Sequence, residues 1–331
     1  VIYGECIVHR YGRKCLDTPI NIGISTCLLG ENVRYDGGHK RDRYLTDTLG
    51  QYVRYVPVCP EVEAGFGVPR ESMQLRGDPG APRLVTNQTG KDLTDAMLAW
   101  AQKRVVELEK EDLCGFVFKS RSPSSGMERV KVVNDKGMPV KKGVGLFARV
   151  FIDHFPLVPV EEEGRLHDPK LRENFIESVF VFKRWRACLE EGRSRGKLVA
   201  FHTRHKLLIM SHSVEHHRSM GKLVARVKEL PLEELYERYQ GHLMGAFKLR
   251  TTMKKHVNVL QHMMGYFKKV LSADEKEELL EYLDLYRKGH LPLVVPVTLI
   301  NHYVRKYDQP YLNQQYYLHP HPVELQLRNH V

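Results

Sequence analysis

Two cysteines and a serine occupy three short segments of similar build. Thr26-Cys27-Leu28-Leu29-Gly30, Val58-Cys59-Pro60-Glu61-Val62 and Lys119-Ser120-Arg121-Ser122-Pro123-Ser124-Ser125-Gly126 each follow a short apolar run that reads as a buried strand. Loops at the C-terminal ends of parallel strands are where open α/β sheets assemble ligand sites. Thiolates delivered from such loops can share one metal centre. The third segment is built like the others, but Ser125 stands where a third cysteine is expected. The competing reading is that each cysteine is a small buried hydrophobe. No C-x-x-C pair occurs, which argues against a zinc ribbon or a thioredoxin motif.

The elements that must position these loops follow in order. Residues 18–158 alternate strand and helix patterns. Strands are expected at Ile22–Thr26, Val53–Val58, Gly115–Phe118 and Val130–Val133. A short helix is expected over Tyr44–Tyr52, and a longer one over Asp92–Glu111, with Leu93, Met97, Ala101, Val105 and Leu108 on one face. Pro60 to about Arg83 reads as a Gly/Pro-rich loop, and Gly145–Ile152 as an apolar segment of undecided type. The succession predicts an α/β domain with a mostly parallel, Rossmann-like sheet. Residues 159–194 read as a linker region, with Asn174–Leu189 a helix joining two domains. An all-α domain follows over 195–331. In it, Leu232–Phe267 is a long amphipathic stretch expected to break near Gly241 or Gly245. Ser272-Ala273-Asp274-Glu275 is a capping box. The tail from Gln309 is expected to wrap irregularly. Residues 1–17 read as an N-terminal extension.

Composition sets limits. At 331 residues, 42% hydrophobic and 27% charged, the chain suits a soluble globular protein of about two domains. It has no run of 18 apolar residues and no signal-peptide pattern at its start. Six cysteines at irregular spacing are too few for a disulfide framework, so a reduced, cytoplasmic protein is expected. Net charge is +11, and residues 196–270 hold fourteen Lys or Arg against five Glu and no Asp. Such a region favours a polyanion such as nucleic acid; the alternative is a solvated basic surface.

The residues around the cysteines say more than the cysteines do. Leu28-Leu29-Gly30-Glu31-Asn32-Val33-Arg34-Tyr35-Asp36-Gly37-Gly38, then Cys59-Pro60-Glu61-Val62 with Gly65-Phe66-Gly67-Val68-Pro69-Arg70, then Lys119–Ser124 with Gly126, resemble the three signatures of the thiouracil desulfidase (TudS) family. The resemblance covers about residues 20–155. It implies a [4Fe-4S] cluster on three cysteines with one iron open, and non-redox replacement of a thiocarbonyl sulfur by water. Carried over, Cys27 and Cys59 are two ligands, and the third ligand position falls on Ser125, whose hydroxyl is a harder donor. Cys114 precedes the strand whose far end carries the motif, roughly 16 Å away. The same comparison makes Glu61 the proton-transfer residue and Ser122 its neighbour at the cluster. Taken alone, Glu61 reads as a partner for Arg34 or Arg70, and Ser122 as a turn residue. Arg34, Tyr35, Asp36 and Ser124 are candidates for binding substrate, although Asp-Gly also simply makes turns.

Residues 196–320 resemble the YbgA-type domain through Phe201-His202-Thr203-Arg204-His205-Lys206, His212, Tyr239-Gln240, Leu299-Ile300-Asn301-His302-Tyr303 and Gln309-Pro310-Tyr311-Leu312. The fused arrangement is similar to two-domain desulfidases acting on 4-thiouridine in tRNA. On one continuous helix, His202, His205, His212 and His216 would fall within an arc of about 80°. That stripe suits RNA contact or helix packing better than metal. His202, Arg204, His205, Lys206, Arg218, Lys248, Arg250, Lys254 and Lys255 are the candidate RNA contacts, with tyrosines nearby for stacking. Two other functions remain open: a cluster-deficient RNA-binding protein, and a desulfidase acting on free thiouracil.

Overall fold

The computed structural model describes residues 19–134 and 136–330, so the expected extension at 1–17 lies outside it. The chain divides between Phe155 and Pro156 into two compact units. No helix among the described residues is long and apolar enough to cross a membrane.

The first unit is α/β. Its strands are β1 (Ile20–Ser25), β2 (Val53–Val58), β3 (Met73–Arg76), β4 (Arg83–Thr86), β5 (Leu113–Phe118), β6 (Val130–Val133) and β7 (Pro139–Gly143). Its α-helices are α1 (Pro60–Glu63), α2 (Thr94–Leu108) and α3 (Leu146–His154). β1 lies between β2 and β5 and runs parallel to both. It is buried along its whole length, as is β5, which is why both read as nearly unbroken apolar runs. Gly23 permits the close packing of β1 on β5: a Cβ there would lie 2.2 Å from the Phe116 ring. Phe116, Phe118, Phe147 and Phe151 then interlock edge to face and tilted, fixing α3 against β5.

Register aligns the functional loops. Ser25 pairs with Val58, and Ile24 with Val117, so β1, β2 and β5 end level and release their three loops at one edge of the sheet. A second sheet, ordered β4-β3-β6-β7, was not expected. β3 falls inside the stretch read as a Gly/Pro-rich loop; four residues carry too little alternation to stand out there. α2 buries Met97, Ala101, Val105 and Leu108 as its periodicity predicts, and the undecided apolar segment resolves as α3.

The second unit is helical: α4 (Pro169–Glu190), α5 (Arg195–His212), α6 (Val214–Ala225), α7 (Leu232–Phe247), α8 (Met253–Met264), α9 (Ala273–Arg287), α10 (Val294–Lys306) and the short α11 (Pro310–Asn313). The segment read as a joining helix lies within α4 and is core of this unit. Phe175, Ile176, Val179 and Trp185 are buried, and Trp185 stacks on Tyr239 and donates to Gln240 Oε1 at 2.8 Å. Gly241 and Gly245 do not break the long amphipathic stretch. The break comes at 248–252, where the Thr252 side chain caps α8 by accepting from Lys255 N. The capping box at Ser272 and Glu275 is formed. The tail is mostly irregular, yet Tyr317, Leu325, Leu327 and Arg328 are buried.

Three interior histidines should make this unit acid-labile. Burial lowers the pKa of His202 to about 4 and of His256 to about 3, and that of His205 well below 6.5. Such histidines take up protons only on unfolding. Their contribution is complete above the unfolded value near 6.5 and is lost as pH falls through it towards the folded values. Glu173 opposes them: burial beside Glu177 raises it to about 8, so it favours folding as pH falls from 8 towards 4.5. The histidines outnumber it. The unfolding free energy of the full chain, from urea titrations, should therefore fall between pH 6.5 and 4.5, by about 1.4 kcal/mol per pH unit for each net proton. His202→Gln should flatten that slope. Stability that holds constant or rises on acidification over this range would contradict the assignment.

Candidate cluster-binding site

The three loops are held by their own backbones. After β1, residues 26–29 form a single 3₁₀ turn. The Cys27 carbonyl accepts from Lys40 N at 2.9 Å, folding the following loop back over it. Cys59 caps α1, with Pro60 at the first helical position. Glu63 reaches back to accept from Cys59 N at 2.8 Å, and Arg104 from α2 pairs with Glu63 at 3.0 Å. In the third loop, Ser122 Oγ accepts from Ser124 N at 3.3 Å and Ser125 N at 3.2 Å. Gly145 N donates to Gly126 O at 2.7 Å, and Ala148 N to Ser124 O at 3.1 Å, seating the loop on the start of α3. A Cβ on Gly145 would meet the Ser124 carbonyl at 2.5 Å, so only glycine fits. Lys119 N donates to Ser25 Oγ at 2.9 Å, joining the ends of β5 and β1.

The loops enclose a cavity of about 350 Å³. Cys27, Cys59, Glu61, Ser122 and Ser125 line it, as do Arg34 and Tyr35. Glu61 Oε2 lies 3.6 Å from Cys59 Sγ and 3.8 Å from Arg70 Nη2, while Oε1 accepts from Ser124 Oγ. The two readings of Glu61 therefore coexist: it faces the cavity, and its cation is Arg70 rather than Arg34. Arg34 pairs instead with Asp36, at 3.4 Å.

Two expected contacts move. Ser124 is wholly buried and absent from the cavity lining; its hydroxyl orients Glu61 and lies 2.8 Å from Ser122 Oγ. Asp36 is exposed and also absent from the lining; it accepts from Gly38 N at 3.1 Å as a turn residue. Arg70, expected only as a partner for Glu61, also lines the cavity, as do Lys40, Ser72 and Met73, which lay outside every motif. Arg70 donates from Nη1 to the carbonyls of Val33 (3.0 Å) and Gly67 (2.9 Å), and its buried Nε has no partner among the described residues. It closed the second signature, but nothing there marked it as facing inward.

The donor set suits a thiophilic metal group. Burial, then the adjacent Glu61 carboxylate, push the Cys59 thiol up to about 12. A thiolate there needs a cation beside it, which a bound iron centre supplies. Cys27 and Cys59 give two soft donors at one cavity. Ser125 is buried at the third position and offers oxygen. Cys114 is buried within β5 and does not line the cavity.

In the helical unit, His202 and His205 do not present a surface: they are 7% and 2% exposed. His202 Nδ1 faces the Tyr239 hydroxyl at 3.3 Å, and His205 stacks between Phe201 and Tyr316. The histidine stripe is also interrupted, because extended Ser213 ends α5 and caps α6, placing His216 on another helix. Arg204, Arg218, Lys248, Arg250 and Lys254 are exposed. Lys206 lies over the Tyr311 ring at 4.9 Å, and Lys255 Nζ is taken by the carbonyls of His212 and Arg250.

Comparison with known proteins agrees with both halves. Residues 22–163 match the model of the 2-thiouracil desulfurase family, and residues 206–322 match that of a family described as a protein of unknown function, DUF1722. The uncharacterized protein YbgA of Escherichia coli K12 is 30% identical over 152 residues, covering 46% of this chain and 90% of the relative. The uncharacterized protein YbbK of Bacillus subtilis 168 is 28% identical over 108 residues, covering 31% of this chain and 71% of the relative. A solved structure described as a [4Fe-4S]-dependent thiouracil desulfidase, TudS, is 28% identical and covers 45% of this chain and 94% of its own, with a TM-score of 0.38. The chain therefore belongs to the YbgA (DUF1722) family, with a 2-thiouracil desulfurase domain joined ahead of the family's helical domain.

Proposed function

We propose that the first domain removes sulfur from a thiolated pyrimidine, and that the substrate is 4-thiouridine in tRNA held by the helical domain. The observation that carries this reading is the convergence of Cys27, Cys59, Ser125 and Glu61 on one cavity. The thiolates of Cys27 and Cys59 and the oxygen of Ser125 would hold a [4Fe-4S] cluster. When bound, that cluster supplies an iron with an open position for the thiocarbonyl sulfur. Glu61 takes a proton from the water that attacks the ring carbon and returns it to the departing sulfur. The water oxygen replaces sulfur, sulfide leaves, and no electron is transferred. Ser122 shapes the third loop at the cavity wall, while Arg34 and Tyr35 flank the base.

Exposed Arg204, Arg218, Lys248, Arg250 and Lys254 are the phosphate contacts, with Lys206 beside Tyr311. With five such contacts, a fourfold rise in salt should weaken tRNA binding by roughly a hundredfold or more, through counterion release. Ser125 favours a second reading, in which the chain has lost its cluster and only binds RNA. The test is sulfide release by anaerobically reconstituted protein from thiouracil, 4-thiouridine and thiolated tRNA. Turnover of thiolated tRNA supports the proposal. Turnover of the free base alone assigns a free-thiouracil desulfidase. Colourless, iron-free protein that binds tRNA with a steep salt slope assigns the second reading.

A further inference from the structure

The helical unit buries a cluster of ionisable groups that the proposed desulfuration does not use. Glu173 and Glu177, one turn apart on α4, are 3% and 0% exposed. Arg328, from the tail, donates to Oε1 of both: Nε to Glu173 at 3.1 Å and Nη2 to Glu177 at 2.7 Å. His212 Nε2 lies 2.9 Å from Glu177 Oε2, and His330 Nε2 lies 3.7 Å from Glu173 Oε2.

His321 does not fit a closed ion-pair network. Its Nδ1 lies 3.1 Å from the Pro322 carbonyl, an oxygen that can only accept, so Nδ1 carries the ring proton and Nε2 is left with a lone pair. That Nε2 is sealed from solvent and has no hydrogen-bond partner among the described residues. One ligand atom from each of Glu173, Glu177 and His321 lies within 4.8 Å of the other two. Three electron-pair donors thus converge on one buried point, one of them unsatisfied. Leaving such a group unpaired in the interior is unfavourable.

We propose that Glu173, Glu177 and His321 bind a divalent transition-metal ion of the zinc class, which fastens the C-terminal tail to α4. An imidazole nitrogen with carboxylate oxygens suits zinc, cobalt or ferrous iron better than calcium or magnesium, which prefer oxygen alone. The surroundings have the form of an outer ligand shell. The second nitrogen of His321 donates to a backbone carbonyl, and Arg328 holds one oxygen of each carboxylate. Ligand atoms about 2.1 Å from a tetrahedral ion lie roughly 3.4 Å apart, so the side chains must close by about an ångström. Arg328 is the competing cation. A buried water bridging the same three groups, with Arg328 balancing the charge, is the other occupant that the geometry admits.

The experiment uses the untagged full chain carrying Cys27→Ser and Cys59→Ser, so that the first domain cannot take up the probe. After chelation it is titrated with Co²⁺. The proposal expects one equivalent bound, visible ligand-field bands without thiolate-to-cobalt charge transfer, and a metal-dependent rise in melting temperature. His321→Gln, at a partly exposed residue, should weaken binding at least tenfold and remove the rise in melting temperature. The isosteric Glu173→Gln is a second check should His321→Gln misfold. No stoichiometric uptake would overturn the proposal in favour of buried water. So would thiolate bands, or affinity indifferent to both substitutions.

Discussion

Ser125→Cys should raise the iron content of anaerobically reconstituted protein from substoichiometric to about four irons per chain. The site around this residue is already built. Ser125 lines the cavity with Cys27 and Cys59, and its amide is held by Ser122 Oγ at 3.2 Å. The substitution changes one atom at a backbone position that the start of α3 fixes. What changes is the chemistry of the donor. A ligand must shed its proton to bind iron, and an alcohol does so far less readily than a thiol, with its free value near 8.5. The variant should be brown, with iron–sulfur charge-transfer absorbance, and should release sulfide from a thiolated substrate at least tenfold faster than the parent. Cys114→Ser, made alongside, should leave iron content alone. Unchanged iron and colour in Ser125→Cys would mean that the third ligand lies elsewhere.

The cysteines were legible because each ends a strand whose apolar run is visible, and the register of β1 with its neighbours brings those ends level. The order of the three signatures carried the rest of the first domain. What the sequence hid were directions of side chains. In Ser122-Pro123-Ser124-Ser125, nothing distinguishes the two serines that face the cavity from the one that turns behind it; hydrogen bonds to Glu61 and to α3 decide that. Arg70 was legible as a partner for Glu61, but not as a residue of the cavity wall. Its inward position depends on the carbonyls of Val33 and Gly67, one of them 37 residues away in sequence. In the helical unit, charge and histidine spacing suggested one continuous face. A single extended residue, Ser213, splits it, and burial turns His202 and His205 inward. Asn174–Leu189 reads as a joining helix because Glu173, Glu177 and Lys183 interrupt the apolar pattern of α4. These charges are buried, and the partner of the two glutamates, Arg328, lies about 150 residues downstream.

In the Ser125→Cys background, Glu61→Gln should lower kcat by roughly a hundredfold or more while leaving iron content unchanged. Among the described residues, Glu61 carries the only carboxylate in the cavity lining, 3.6 Å from Cys59 Sγ. Glutamine keeps the size of the side chain and an oxygen for Ser124 to donate to, but cannot accept a proton at neutral pH. The loss should therefore fall on turnover and spare substrate binding, so that kcat drops and KM moves little. Glu61→Asp should fall between, since the carboxylate then sits one carbon further back. Ser124→Ala should cost less than Glu61→Gln, because it frees Glu61 to rotate without removing it. Arg70→Lys separates the two roles of this carboxylate. It keeps a positive charge near Glu61 but loses the fork to Val33 and Gly67, so it should perturb the fold of the second loop and leave the proton acceptor in place. Should Glu61→Gln instead strip iron from the protein, with residual activity tracking residual iron, Glu61 would be a strut between Arg70 and the Cys59 loop, and the proton would have to leave by another group.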